Sequence, residues 1–296
     1  MQRLITVGID GSPESSDAAD WAAREALRRG LALRLLYAGG DTARTTHLPE
    51  LDAPSQQAQY SVARITREVI DAHPTLEILE QRSPEPAIPA LLAAAEQSQA
   101  LVLGSRGFTG FAGYMVGSVS LAVTARARRP VVLVRAGELP ENEHVADVEG
   151  MPSTRTPLRP VVLGLDLSHP SDDLIAYACD AAATRRTALH VIHAWSLVPR
   201  SPYAPDVPTA EAETAPDIEK ERLLAATLRT WRHKFPEMEV TEQMSRGRAG
   251  HHLLKASADA GLLVIGRRIE SGPRLGPTAH SVIHHVTCPV AVIAHT

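Results

Sequence analysis

The chain repeats itself, and that duplication limits what it can fold into more than any other feature. Val7-Gly8-Ile9-Asp10 returns as Leu163-Gly164-Leu165-Asp166, 156 residues later. At the same offset Leu33 to Ala38 returns as Leu189 to Ala194. Leu101-Val102-Leu103-Gly104-Ser105-Arg106 matches Leu263-Val264-Ile265-Gly266-Arg267-Arg268 at 162, as Leu91-Leu92 matches Leu253-Leu254. Arg129 to Val134 matches Cys288 to Ile293 at 159. Five matches in one order, with offsets drifting by a few residues, mark a duplication with small insertions and deletions. Each copy is then a unit of ordinary domain size.

Within a copy, strand-like and helix-like stretches alternate. The first copy predicts strands near 3–10, 32–38, 76–81, 100–104 and 131–135. Between them, helical patterns run from Pro13 to Arg29, Gln57 to Ala72, Pro86 to Gln97 and Ser118 to Arg128. Ala19, Ala22, Ala23, Ala26 and Leu27 recur at helical spacing. Leu101 to Leu103 and Val131 to Val134 are continuously apolar, as strands covered on both faces are. The alternation predicts an α/β fold with a five-stranded parallel sheet in each copy. Domains are expected at 1–137 and 159–296. The acidic, then Pro/Ser/Thr-rich stretch between them reads as an exposed linker over 138–158. A Pro-rich insertion runs from Pro199 to Pro216 in the second copy.

Charge and composition exclude several functions. A net charge of −4 gives no electrostatic footprint for nucleic acid or an anionic membrane. No apolar run reaches the roughly 20 residues that span a bilayer, and no signal peptide is recognisable, so the expected compartment is cytoplasmic. Cys179 and Cys288 are too few for a disulfide framework and read as buried free thiols. The three lysines, Lys220, Lys234 and Lys255, all lie in the second copy. An anion site in the first copy must therefore use backbone N–H groups, helix termini or arginine.

The stretch after the fourth strand fits that requirement. Gly104-Ser105-Arg106-Gly107 is followed by nine residues and then by Gly117-Ser118-Val119-Ser120, which open a helix. Glycines let a backbone approach an anion closely. Ser118 is expected to cap the helix, leaving N–H groups directed at a ligand. A surface loop before an ordinary capped helix would carry the same composition. Neither a Gly-Lys-Ser/Thr phosphate loop nor a G-x-G-x-x-G turn is present. Asp10, at the end of the first strand, is either a hydrogen-bond acceptor for a ligand or a cap for the next helix. Both features belong to one crevice, above strands one and four.

On these residues the chain resembles the universal stress proteins in their tandem-domain, ATP-binding form. Val7 to Ser12, the Gly104-x2-Gly107-x9-Gly117-Ser118 loop and Arg129 to Val134 carry the resemblance over nearly the whole chain. It implies two tandem Rossmann-like domains of the adenine nucleotide alpha hydrolase type, with strand order 3-2-1-4-5 and ATP at the order reversal. By that likeness Asp10 and Gly11 lie at the nucleoside and Ala38 meets the adenine edge. Gly104 and Gly107 would pass close to ribose and phosphates, with Arg106 a phosphate neighbour. Gly117, Ser118, Val119 and Ser120 would hold the phosphates, accompanied by Mg2+. The resemblance also implies pairing of the two domains through Val131–Arg135 and Val290–Ala294, which would cover apolar edges. A homodimer of the chain is left open.

The second copy departs from the pattern. Asp166 and Gly266 remain, but Ile269 stands at the second glycine and the loop is three residues shorter. Gly276-Pro277 replaces Gly117-Ser118, which removes an N–H and a hydroxyl. Asp166, Gly266 and Gly276 are therefore weak candidates in an eroded pocket, although Arg267, Arg268 and Arg274 could compensate. His280 and His284 have zinc-ligand spacing without a companion carboxylate or thiol, and read as surface histidines. No nucleophile elbow supports Ser-His-Asp chemistry. The sequence leaves three functions open: an ATP-binding stress regulator with little turnover, a slow ATPase or nucleotidyl-transferring enzyme, and an interaction scaffold with vestigial pockets.

Overall fold

The first helix shows how local chemistry sets the elements. Ser12 takes an extended conformation and its hydroxyl accepts the Ser15 N–H, Pro13 fills the first helical position, and Glu14 complements the dipole. The helix ends at Gly30, whose φ of 60° lets its N–H reach the carbonyls of Ala26 and Leu27. In between, Ala18, Ala19, Trp21, Ala22, Ala23 and Ala26 form a fully buried face. In the computed structural model, which describes residues 4–39, 52–105, 116–195, 210–270 and 272–296, ten strands and seven further helices follow the same alternation among those residues.

The first half comprises β1 (Leu4–Ile9), α1 (Pro13–Arg29), β2 (Ala32–Ala38), α2 (Asp52–Ala72), β3 (Ile78–Ser83), α3 (Ala87–Glu96), β4 (Ala100–Ser105), α4 (Ser118–Thr124) and β5 (Val131–Arg135). The second half comprises β6 (Val161–Gly164), α5 (Asp172–Arg185), β7 (Leu189–Trp195), α6 (Ala210–Lys234), β8 (Val240–Arg246), α7 (Ala249–Ser257), β9 (Leu262–Arg268), α8 (Pro277–His285) and β10 (Val290–His295). Each half is a parallel sheet ordered 3-2-1-4-5 in its own strands. The halves join through an antiparallel β5–β10 pairing, Ala291 opposite Val132, to form one ten-stranded sheet. One apolar core lies under α1, α2, α5 and α6 and a second under α3, α4, α7 and α8, and each runs through both halves. Among the described residues no helix is long and apolar enough to cross a membrane.

Polar contacts add to the seam. Glu25 of α1 is buried and accepts from Arg185 of α5 at 2.7 and 3.3 Å, from Arg29 at 2.5 Å and from Arg28 at 3.0 Å. Arg267 of β9 donates to the Ala127 carbonyl in the first half. The connecting segment differs from its sequence reading. It forms a short 3-10 helix, Pro140–Glu143, and a bridge between His144 and Leu158. Glu138 and Glu143 are buried rather than solvated, Glu143 because it pairs with Arg24 at 2.8 Å and with Arg28.

Candidate functional site

At the carboxyl ends of β1, β2 and β4, where the strand order reverses, a cleft of about 200 Å3 opens on the α3–α4 face. It is lined by Gly8, Asp10 and Ser12 from the first turn, Leu36 and Ala38 from β2, Leu103 and Gly104 from β4, and Val119 and Ser120 from α4. Residues from the Val7–Ser12 turn and from the Gly104–Ser120 loop therefore share one cavity with Ala38, which was expected from the family resemblance. Gly117 and Ser118 begin the same helix. Arg106 and Gly107 lie outside the described residues.

Asp10 is exposed at the rim. Its Oδ1 accepts the Ser12 N–H at 3.0 Å and the Ser12 hydroxyl at 2.6 Å, while no hydrogen bond among the described residues reaches Oδ2. Partial burial opposes ionisation, but the Ser12 and Ser15 hydrogen bonds outweigh it and hold the carboxyl below its ordinary value. The carboxylate is thus ionised at neutral pH, oriented, and open on one oxygen. It does not cap α1, because Ser12 does. The turn depends on Gly11, whose φ of 88° suits glycine.

The α4 end is built differently from its sequence reading. Gly117, with φ −60° and ψ 150°, is the cap residue, and Ser118 is the first helical residue, exposed and without a capping role. The N–H groups of Ser118, Val119 and Ser120 precede the first intrahelical bond, which runs from Leu121 N–H to the Gly117 carbonyl at 2.9 Å. The Ser120 hydroxyl is turned inward and donates to the Gly104 carbonyl at 3.0 Å, fastening α4 to β4. Gly104 is also required for packing. A Cβ there would sit 2.6 Å from the Glu14 carbonyl oxygen, so only glycine lets α1 approach β4 this closely. Among the described residues, a Cβ on Gly117 would meet nothing within 4 Å.

Ser15, Ala87 and Leu91 also line the cleft and were not singled out from sequence. Ser15 donates to the Ser12 carbonyl and accepts the Asp10 N–H at 3.3 Å, so it braces the turn. The capping pattern Ser12-Pro13-Glu14-Ser15 was the available signal. Ala87 and Leu91 lie on a helix outside the motif, and nothing local assigns them to it.

The second half keeps the Asp166 turn but not its surroundings. Asp166 Oδ1 accepts the Ser168 N–H at 3.0 Å. Leu167 replaces Gly11 and has no positive φ, so this turn follows another path and buries its side chain. A Cβ on Gly266 would lie 2.6 Å from His295 Nε2, so that ring fills the space beside it. Gly276 caps α8 and Pro277 leaves the first helical position without an N–H. Arg267, one possible compensating cation, is committed to Ala127, and Arg268 lies 3.3 Å from His169. Among the described residues no group of three or more metal-ligating side chains converges, and His280 and His284 stand as a tilted pair on α8. Cys179 and Cys288 are buried, and burial pushes their thiols up to about 11 and about 12, away from thiolate chemistry.

Known proteins are similar to this chain along nearly its whole length. The universal stress protein Rv2005c of Mycobacterium tuberculosis is 27% identical over 98% of this chain and 97% of its own. Rv1996 of the same organism is 29% identical over 97% and 94%. A universal stress protein from Archaeoglobus fulgidus has the same fold over 100% of both chains, with a TM-score of 0.68 at 17% identity. The model of the universal stress protein family matches twice, at residues 1–135 and 157–294, one match to each half of the ten-stranded sheet. The chain belongs to the universal stress protein family, with two of its domains in tandem.

Proposed function

We propose that the cleft over β1 and β4 binds ATP, with Mg2+ accompanying the phosphates, and that nucleotide occupancy makes the chain a regulator in the stress response rather than a fast ATPase. The observation that carries this reading is the convergence of Asp10, Ala38, Gly104, Val119 and Ser120, from four separate elements or turns, on one cleft at the strand-order reversal. Each contributes chemistry suited to a nucleotide. The open Asp10 oxygen accepts from ribose hydroxyls, and Ala38 offers main-chain groups to a base edge. Three successive N–H groups at the start of α4 suit phosphate oxygens. Regulation rather than turnover is favoured because the described lining residues include no general base besides Asp10, whose carboxyl is held below its ordinary value.

The second half contributes a weaker site in this reading. His295 beside Gly266 and Pro277 at the start of α8 each remove a feature the first cleft retains, and the commitment of Arg267 removes a cation that could have compensated. The test is nucleotide extraction from the purified full chain, by chromatography after denaturation, together with calorimetry. About one equivalent of ATP per chain is expected. An empty extract and flat calorimetry at millimolar ATP would refute the proposal. Gly117→Ala is the diagnostic variant, since a methyl there touches no atom of the described residues within 4 Å. It should keep wild-type stability while losing nucleotide.

A further inference from the structure

The turn that carries Asp10 is closed by one hydroxyl used twice. Ser12 Oγ donates to Asp10 Oδ1 at 2.6 Å and accepts the Ser15 N–H at 3.2 Å, so the group that caps α1 also holds the carboxylate. A hydroxyl has a single proton to donate, and here it goes to Asp10. The Ser12 N–H reaches the same oxygen at 3.0 Å. Ser15 completes the ring, since its hydroxyl donates to the Ser12 carbonyl at 2.9 Å and accepts the Asp10 N–H at 3.3 Å. Asp10, Ser12 and Ser15 all line the cleft. Two donors on Oδ1 fix the plane of the carboxylate and leave Oδ2 as the oxygen that no described residue engages.

The second half holds the same residue types without this clamp. Ser168 corresponds to Ser12 through the repeat, and its N–H donates to Asp166 Oδ1 at 3.0 Å. Among the described residues its hydroxyl reaches neither Asp166 nor the start of α5, because α5 begins later in the repeat and is capped by Ser171. Asp166 Oδ2 lies instead 3.6 Å from His169 Nδ1. An aspartate two residues before a serine therefore does not by itself orient its carboxylate. The helix has to start at that serine.

We propose that Ser12 is a positioning residue for sugar recognition: by holding Asp10 Oδ1 it aims Oδ2 at the ribose 2′,3′-diol, and the cleft takes ribonucleotides in preference to their deoxy counterparts. This rests on the nucleotide reading of the cleft. A carboxylate oxygen accepts and cannot donate, so it pairs with a sugar hydroxyl and gains nothing from a bare methylene. An analogue without the hydroxyl leaves a fixed, charged acceptor lacking its donor. Fixation matters because a carboxylate free to turn would take up water instead.

The test is calorimetric titration of the full chain, freed of co-purified nucleotide, with ATP, 2′-deoxy-ATP and 3′-deoxy-ATP in the presence of Mg2+. At least one deoxy analogue is expected to bind about tenfold more weakly than ATP, as loss of a hydrogen bond to a charged group does. Ser12→Ala should narrow that preference to about threefold or less, mainly by weakening ATP. Ser12→Thr, which keeps the hydroxyl, should retain it. Because Ser12→Ala also removes a helix cap, Ser171→Ala is the matched control: it uncaps α5 away from the cleft and should keep the full preference. Circular dichroism verifies that each variant is folded. A chain that binds none of the three nucleotides refutes the nucleotide reading itself. Equal affinity for ATP and both analogues overturns the sugar recognition alone. So does a preference that survives Ser12→Ala undiminished, or one that Ser171→Ala abolishes, which would assign the effect to stability.

Discussion

Replacing Glu25 with glutamine removes a carboxylate held by Arg28, Arg29 and Arg185 at the seam between the halves. Burial by itself would raise this carboxyl, but the charges of Arg185, Arg29 and Arg28 outweigh burial and hold it at about 2, against an ordinary 4.5. At about 1.4 kcal/mol per pH unit, the gap is worth about 3 kcal/mol in neutral solution. That agrees with the roughly 3–5 kcal/mol lost when one partner of a buried ion pair is removed. The sign follows from linkage. A depressed carboxyl stabilises the fold fully above its unfolded value, and the contribution is lost as pH falls from about 4.5 through about 2. Urea denaturation at pH 7 should therefore show Glu25→Gln about 3 kcal/mol less stable than wild type. At pH 3 the difference should shrink to about 1 kcal/mol, because the wild-type carboxylate has lost most of its advantage. A penalty of equal size at both pH values would refute the electrostatic account and assign the loss to packing.

Other substitutions test separate parts of the structure. Gly104→Ala forces a methyl to within 2.6 Å of the Glu14 carbonyl oxygen, so thermal unfolding should reveal a loss of about 1–3 kcal/mol, together with weakened nucleotide binding. Arg186 caps α5 with φ 51°, where the first half uses Gly30, so Arg186→Gly should stabilise by about 0.5–1 kcal/mol in urea denaturation. The Glu138 carboxyl is pushed up to about 8 by burial and by the neighbouring Glu143 charge. A raised carboxyl costs stability as pH rises from about 4.5 through about 8, so Glu138→Gln should stabilise by at least about 1 kcal/mol at pH 9 and hardly at all at pH 4, read from melting at both pH values.

Much of this fold is legible along the chain because its signals are local. Strand and helix alternation, continuous apolar runs and the Ser12-Pro13 start of α1 are patterns of neighbouring residues, and the repeat is visible by matching the chain to itself. Two helix boundaries differ from that reading. α2 begins at Asp52 rather than near Gln57, and α4 ends at Thr124, short of Arg128. The place of the cleft is legible in Asp10, Gly104 and the start of α4, since in a parallel sheet the strand ends mark the place where their loops meet, whereas Ala38 enters only through the family resemblance.

Tertiary structure decided what those residues and their surroundings do. Gly104 is a packing requirement set by the Glu14 carbonyl, a residue 90 positions away in the chain. The Ser120 hydroxyl is spent on the Gly104 carbonyl, although its sequence position suits a phosphate. An acidic, proline-containing linker has the same composition whether it is solvated or wedged against arginines, so the burial of Glu143 could not be read from it. Arg267 looked like a spare cation until the pairing of β5 with β10 brought Ala127 within its reach. Periodicity and propensity belong to the sequence because they act over a few residues. The partners of a buried charge depend on where segments far apart in the chain come to rest.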